Sequence, residues 1–163
     1  PGRHIVLFSA LGKDCNDPGE LAGVMAHEIA HLEQGHIQKK LVKEFGVAIL
    51  MGLTNGKVDA GMLKQIVEKI TGSAYDRSLE KEADLEAVHY LEASAIDPEH
   101  FASFMDRMGG GQSSLSNTFS WISTHPASDQ RAVYIRSSAG SVKEEPLFSN
   151  EAWKSWQLHL SVK

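Results

Sequence analysis

Hydrophobic residues recur along most of this chain at spacings of three and four, the pattern of amphipathic helices. The first helix is predicted from Asp17 to about His36, because Asp17 is a favourable N-cap and Pro18 suits the first helical position. Glu20, three residues after the cap, strengthens this start. At about 100° per residue, four apolar side chains of the helix share one stripe, which we expect to face the core: Leu21, Met25, Ile29 and Leu32.

The same spacing predicts further helices downstream, with proline and glycine marking several of their ends. The Gly/Ser-rich residues 109–117 are predicted to form a loop. The predicted helices cover residues 38–53, residues 62–70 up to Gly72, residues 76–94, residues 97–109 with Phe101, Phe104, Met105 and Met108 on one face, a stretch after Pro126, and the tail around Trp153 and Trp156.

One short stretch near the start follows a different pattern. The apolar, β-rich run Ile5, Val6, Leu7 and Phe8 is bounded by turn residues and predicts a strand. No domain boundary is visible in residues 1–163. We therefore expect a single α+β domain that is mainly α-helical and has a small β-sheet.

Composition excludes several classes of protein. The net charge of −5 argues against a nucleic-acid binder, which should carry a basic face. The single cysteine, Cys15, excludes an intrachain disulfide and a cysteine-rich zinc site. The longest apolar run, residues 45–53, is too short to span a bilayer. Because the chain starts at Pro1 without a methionine, we expect it to be a fragment of a longer chain.

The sequence His27-Glu28-Ile29-Ala30-His31 predicts a metal site with its own general base. On a helix, residues four apart share a face, so the two histidine rings can converge on one ion. Zinc lowers the pKa of a bound water to about 7, and Glu28 is placed to take the proton of that water. The two histidines are predicted to lie on a ridge separate from the apolar stripe.

A catalytic zinc needs a third protein ligand, and the residues offer two candidates. His36 is one residue out of register with the extended histidine pattern, and a surface histidine near the helix end is the preferred interpretation. The alternative is an acid from the helix over 76–94, where Glu80 and Asp84 share one face. One carboxylate could bind zinc while the other accepts a hydrogen bond from a ligand histidine.

Three motifs in order resemble a known family. The 27–31 motif, then residues 80–84, then Ser123-Thr124-His125-Pro126 followed by Arg131, are similar to the HtpX/CAAX-prenyl-protease-like zinc metallopeptidases of the gluzincin type. The soluble bacterial BepA-like branch is the nearest. The resemblance implies a zincin-like domain with one zinc ion between the motif helix and a later helix.

The resemblance also implies residue roles. Glu80 becomes the third zinc ligand beside His27 and His31, and Asp84 becomes the partner of a ligand histidine. His125 is implied to stabilise the oxyanion, or to bind zinc itself in a latent state, with Arg131 supporting its loop. Residues 5–8 would offer a strand edge to a peptide. Glu82 matches no ligand position of the family.

The function implied is a zinc endopeptidase that hydrolyses polypeptides by metal-activated water, in protein quality control. The location implied is the bacterial periplasm, and membrane association through segments outside this chain stays open. The membrane helices of related branches have no counterpart here, so prenylated substrates are not implied. The alternative is a zinc-stabilised peptide-binding or chaperone-like module without proteolysis, which the presence of Glu28 disfavours.

Overall fold

The computed structural model describes residues 4–45, 52, 77–109, 125, 129–143 and 146–160. The predicted helix over residues 62–70 lies outside these ranges, as do residues 110–117 of the loop predicted over 109–117 and most of the apolar run 45–53. None of the described helices is long and apolar enough to cross a membrane. The described helices are α1 (Ser9–Asp14), α2 (Pro18–Glu33), α3 (His36–Phe45), α4 (Arg77–Ala93), α5 (Glu99–Gly109), α6 (Asp129–Ser138) and α7 (Asn150–His159).

The mainly helical class is confirmed, whereas the small β-sheet is not shown: no described residue forms a strand. Ile5, Val6, Leu7 and Phe8 precede α1 without regular structure. Val6 is 73% exposed and Phe8 is 61% exposed. A run of β-prone residues becomes a strand only when another strand pairs with it, and no described residue does so.

The helix that carries the metal motif begins as predicted but ends earlier. The Asp17 side chain accepts a hydrogen bond from the Glu20 backbone N–H at 2.9 Å and caps α2. The helix stops at Glu33 rather than near His36, because Gly35 takes the left-handed conformation with φ +63°. A new helix, α3, starts at His36.

The predicted core stripe of α2 is wrong in part. Met25 is 36% exposed and Ile29 is 38% exposed, and the buried face instead carries small residues together with both motif histidines. The reason is the close approach of α2 to the neighbouring helices: a Cβ at Gly23 would lie 2.5 Å from Cβ of Phe101. A face in such close contact favours small residues, so Met25 and Ile29 point outward, whereas Val24 stays in the core.

The core lies between α2, α4, α5 and α6. Helix α2 packs mainly against α4 and also against α5, and α5 packs against α6. The apolar face predicted for α5 is buried as expected, and each large apolar side chain contributes about 1.5–3 kcal/mol relative to exposure. The main core side chains are Val24, Val88, Leu91, Phe101, Phe104, Met105, Met108 and Ile135.

Two polar arrangements fix the start of α2 on this core. The Glu20 carboxylate, 2% exposed, accepts hydrogen bonds from Nη1 and Nη2 of Arg107 at 2.5 and 2.6 Å. It also accepts from the Asn16 backbone N–H at 2.7 Å. From α7, Trp153 Nε1 donates to the Asn16 carbonyl and the Gln157 amide donates to the Cys15 carbonyl. The end of the motif helix nearest Asp17 is therefore held from two sides.

Candidate metal centre

Four side chains bring one possible metal-ligating atom each into a small volume. His27 and His31 of α2, Glu80 of α4, and His125 offer atoms that all lie within 4.8 Å of one another. The Nε2 atoms of His27 and His31 are 2.9 Å apart. Among the described residues, the sequence-predicted ligand set is thus gathered at one point.

The two histidines converge because they lie one turn apart on the buried face of α2, and α4 brings Glu80 to the same point. Glu80 is fully buried, with Oε2 3.3 Å from His27 Nε2 and Oε1 3.2 Å from His31 Nε2. The next two turns of α4 toward its C-terminus carry Ala83 and Ala87, both fully buried, whose short side chains permit a close approach of the two helices.

A further layer of buried polar groups surrounds the second carboxylate of α4. Asp84 Oδ1 lies 2.8 Å from His27 Nδ1, the ring nitrogen that does not face Glu80. Arg131 of α6 donates from Nε and Nη2 to both oxygens of Asp84 at 2.8 and 2.7 Å. The Tyr134 hydroxyl also donates to Asp84 Oδ2. The carboxylate therefore has a fixed orientation relative to the His27 ring.

His125 and Glu28 lie on the more open side of the cluster. His125 Nδ1 is 3.0 Å from Glu80 Oε2 and 3.2 Å from His27 Nε2, while its Nε2 is 3.4 Å from Glu28 Oε1. Arg131 Nη1 is 3.4 Å from the carbonyl oxygen of His125, which links this residue to the Asp84 network. The His125 ring thus contacts both the ligand cluster and the predicted base.

The buried groups have unusual protonation equilibria. Burial lowers the pKa of His31 to about 4, so this imidazole is neutral near neutral pH. For Glu80, burial favours the protonated acid, but hydrogen bonds with His125 and His27 outweigh it and lower the pKa. Burial likewise favours the protonated form of Asp84, but hydrogen bonds with His27 and Arg131 outweigh it and lower the pKa. His27 is the opposite case: burial disfavours its cation, yet Asp84 and Glu80 raise its pKa.

These residues fit a divalent metal ion. Two imidazole nitrogens and a carboxylate form the donor set of many catalytic zinc sites. Glu80 Oε1 is buried and accepts no hydrogen bond of normal geometry from the described residues, although His31 Nε2 faces it at 3.2 Å. A neutral His27 ring that donates from Nδ1 to Asp84 would direct the lone pair of Nε2 at the centre of the cluster.

His36 is buried, although the sequence predicted it at the surface. The preferred interpretation was a surface histidine, but His36 is 1% exposed and its Nδ1 lies 2.7 Å from Nδ1 of His31. It does not belong to the group of converging ligand atoms. The signal was Gly35, whose left-handed turn ends α2 and brings the next residue back beside the motif. Glu82 is exposed on α4 near His36, away from the ligand cluster.

Comparisons with known proteins identify the family of this chain. The family model of peptidase family M48 matches residues 1–139. The chain belongs to peptidase family M48. The prediction of a metallopeptidase family with BepA-like members is thereby confirmed, and so is the prediction of a metalloendopeptidase domain, a hydrolase.

Relatives of this M48 domain occur in bacteria and mitochondria. It is 28% identical over 163 residues to the beta-barrel assembly-enhancing protease of Yersinia pestis, covering 92% of the chain and 33% of that protein. It is 26% identical over 133 residues to the mitochondrial metalloendopeptidase OMA1 of Schizosaccharomyces pombe, covering 80% and 40%. It is 28% identical over 142 residues to the metalloprotease LoiP of Escherichia coli, covering 81% and 54%. The chain therefore spans only a third to about half of these relatives.

Proposed function

We propose that this M48 domain is a zinc-dependent endopeptidase that holds one zinc ion through His27, His31 and Glu80 and uses Glu28 as general base. The observation that carries the proposal is the convergence of two imidazole Nε2 atoms and a buried carboxylate beside Glu28. Three protein ligands would leave one position of a zinc ion for a water or a substrate, as catalytic zinc sites require.

Each residue has a defined task in this proposal. Bound zinc supplies Lewis acidity toward the scissile carbonyl and toward the attacking water. Glu28, which is partly exposed and follows His27 directly, takes the proton of that water and delivers it to the leaving amine. Asp84 keeps the proton of the His27 ring on Nδ1.

The test is to replace Glu28 by glutamine and to measure zinc content together with casein cleavage. We expect zinc content to stay unchanged and the cleavage rate to fall by roughly 10²–10⁴-fold, the usual contribution of a general base. Glu33→Gln on the same helix is the control, because Glu33 is exposed at the end of α2 and outside the ligand cluster. Undiminished cleavage by a zinc-loaded Glu28→Gln variant would remove Glu28 from this role.

We propose further that His125 governs access to the metal. Its Nδ1 lies among the ligand atoms, which supports a latent state in which this ring fills the fourth position. Its Nε2 near Glu28 supports the alternative role of holding a developing oxyanion. His125→Ala separates the two: activity rises if the ring closes the site and falls by roughly 10²–10³-fold if the ring stabilises the oxyanion.

We propose a polypeptide substrate that binds along residues 5–8. Phe8 has an extended backbone, and Val6 and Phe8 are well exposed, which suits pairing with an extended peptide. The alternative function, a zinc-stabilised peptide-binding module, uses the same segment without cleavage. Assays with and without chelator discriminate: a fold that depends on zinc, together with no cleavage at any zinc level, supports the module.

We propose a role in protein quality control in the bacterial periplasm. The support is the similarity to the beta-barrel assembly-enhancing proteases, and the chain spans 33% of the length of the Yersinia pestis protein. Fractionation of the whole protein in its own cells tests the location. Recovery in the cytoplasm would contradict it.

A further inference from the structure

His36 contacts His31, one of the two proposed ligand histidines, as Asp84 contacts the other, His27. Its Nδ1 lies 2.7 Å from Nδ1 of His31, with the two ring planes at 78° and the ring centroids 4.7 Å apart. The other ring nitrogen of His31, Nε2, faces Glu80. The His31 ring therefore lies between the ligand cluster and His36.

We propose that His36 is a positioning residue that holds the proton of the His31 ring on Nδ1 and thereby keeps Nε2 available as a metal ligand. This inference rests on the proposed metal site. A neutral imidazole carries one proton, on either Nδ1 or Nε2. If His31 binds metal through Nε2, its proton is on Nδ1 and must be donated to an acceptor, and His36 Nδ1 is within hydrogen-bond distance.

The other ring nitrogen of His36 has a partner of its own. Because His36 Nδ1 accepts, the proton of the His36 ring is on Nε2. That nitrogen is buried and lies 3.5 Å from Oε2 of Glu82, an electrostatic contact longer than a normal hydrogen bond. Lys39 of α3 holds the Glu82 carboxylate through contacts of 3.1 and 3.4 Å. Glu82 and Lys39 thus favour the required tautomer of His36 from the protein surface.

The two ligand histidines of the proposed site are supported unequally. His27 faces a buried carboxylate, whereas His31 faces a neutral imidazole whose own partner is a partly exposed acid. A carboxylate only accepts hydrogen bonds, but an imidazole can accept or donate. The orientation of the His31 ring is therefore the more sensitive of the two to a change in its neighbour.

The fold gives His36 this place through a single turn. Gln34 is the C-cap of α2, and Gly35 follows it with φ +63°. Side chains with a Cβ rarely adopt that conformation, so glycine suits the position. His36 then starts α3 and returns its ring to the buried side of α2.

The experiment compares His36→Leu with His36→Asn, because the Oδ1 atom of asparagine can stand where Nδ1 of His36 accepts. Zinc dissociation constants are measured by competition with a chelating dye, and the Co²⁺ absorption spectrum reports ligand geometry. We expect His36→Leu to weaken zinc binding about 10–100-fold, the usual effect of losing a partner of a ligand histidine. His36→Asn should recover most of that loss. Glu82→Gln should cost less than His36→Leu.

A structural role would give a different result. If both variants lower zinc affinity equally and also lower the melting temperature of the metal-free protein equally, His36 is a packing residue and the inference fails. It fails as well if His36→Leu binds zinc like the unmodified protein. Failure of the proposed function is distinguishable, because the unmodified protein itself would then bind no zinc or cleave no peptide.

Discussion

Asp84 Oδ1 lies 2.8 Å from Nδ1 of His27, while Glu80 lies near the other nitrogen of the same ring. One imidazole thus separates two fully buried carboxylates that are four residues apart on α4. Only one of them can reach the ligand cluster, and the other orients the ring.

Replacing Asp84 by asparagine should weaken zinc binding. The amide keeps the size of the side chain and an acceptor for His27, but it removes the charge that strengthens the hydrogen bond. We expect a loss of about ten-fold or more in zinc affinity, measured by competition titration. Asp106→Asn is the matched control, because Asp106 is an exposed acid paired with Arg136. An Asp84→Asn variant with unaltered affinity would remove Asp84 from the site.

Replacing Arg107 by methionine should destabilise the protein strongly. The change leaves the buried Glu20 carboxylate without its cationic partner. Breaking a fully buried pair costs about 3–5 kcal/mol, and because Arg107 is partly exposed we expect a loss toward the lower end of that range. Arg136→Met is the control, because its pairs with Glu99 and Asp106 are exposed and contribute about 1 kcal/mol or less. Denaturant unfolding measures both variants, and equal losses of unfolding free energy would contradict the distinction.

Cys15 should resist thiol reagents in the folded protein. Its side chain is buried, and burial together with the negative charge of Glu20 raises the pKa of the thiol well above its usual range. The reactive thiolate is therefore scarce, and the reagent has no access. We expect no labelling by a coloured disulfide reagent at pH 8 and complete labelling in guanidinium. Rapid labelling of the native protein would show that α1 or the following loop opens readily.

Zinc should raise the melting temperature. A ligand that binds only the folded state stabilises it by about 4 kcal/mol at a free concentration of one thousand times Kd. For a domain of this size, that free energy corresponds to roughly 8–16 °C. Calorimetric scans with buffered zinc and with chelator measure the shift. The His27→Ala, His31→Ala double variant should show almost no shift, and an equal shift in that variant would place the metal elsewhere.

The elements that depend on local signals were predictable from the sequence. The N-cap at Asp17, the apolar face of α5 and the extent of α4 all follow from neighbouring residues. The clustering of His27, His31, Glu80 and His125 follows from motifs whose spacing is characteristic of a family. Such motifs predict which side chains lie together, even where the preferences of neighbouring residues do not.

The features that were not predictable depend on contacts between residues that lie far apart in the sequence. The exposure of Met25 and Ile29 follows from the close contact of Gly23 with Phe101, which no periodicity of α2 reveals. A strand at residues 5–8 would need a pairing partner that its own sequence cannot specify. The burial of His36 does not follow from one uninterrupted helix over residues 17–36, because Gly35 divides that stretch into two helices.

Helices α2 and α4 supply all three proposed ligands and pack directly on each other. The geometry of the ligand cluster therefore depends on how these two helices pack on each other. A substitution that separates α2 from α4 should weaken metal binding even when all three ligands are intact.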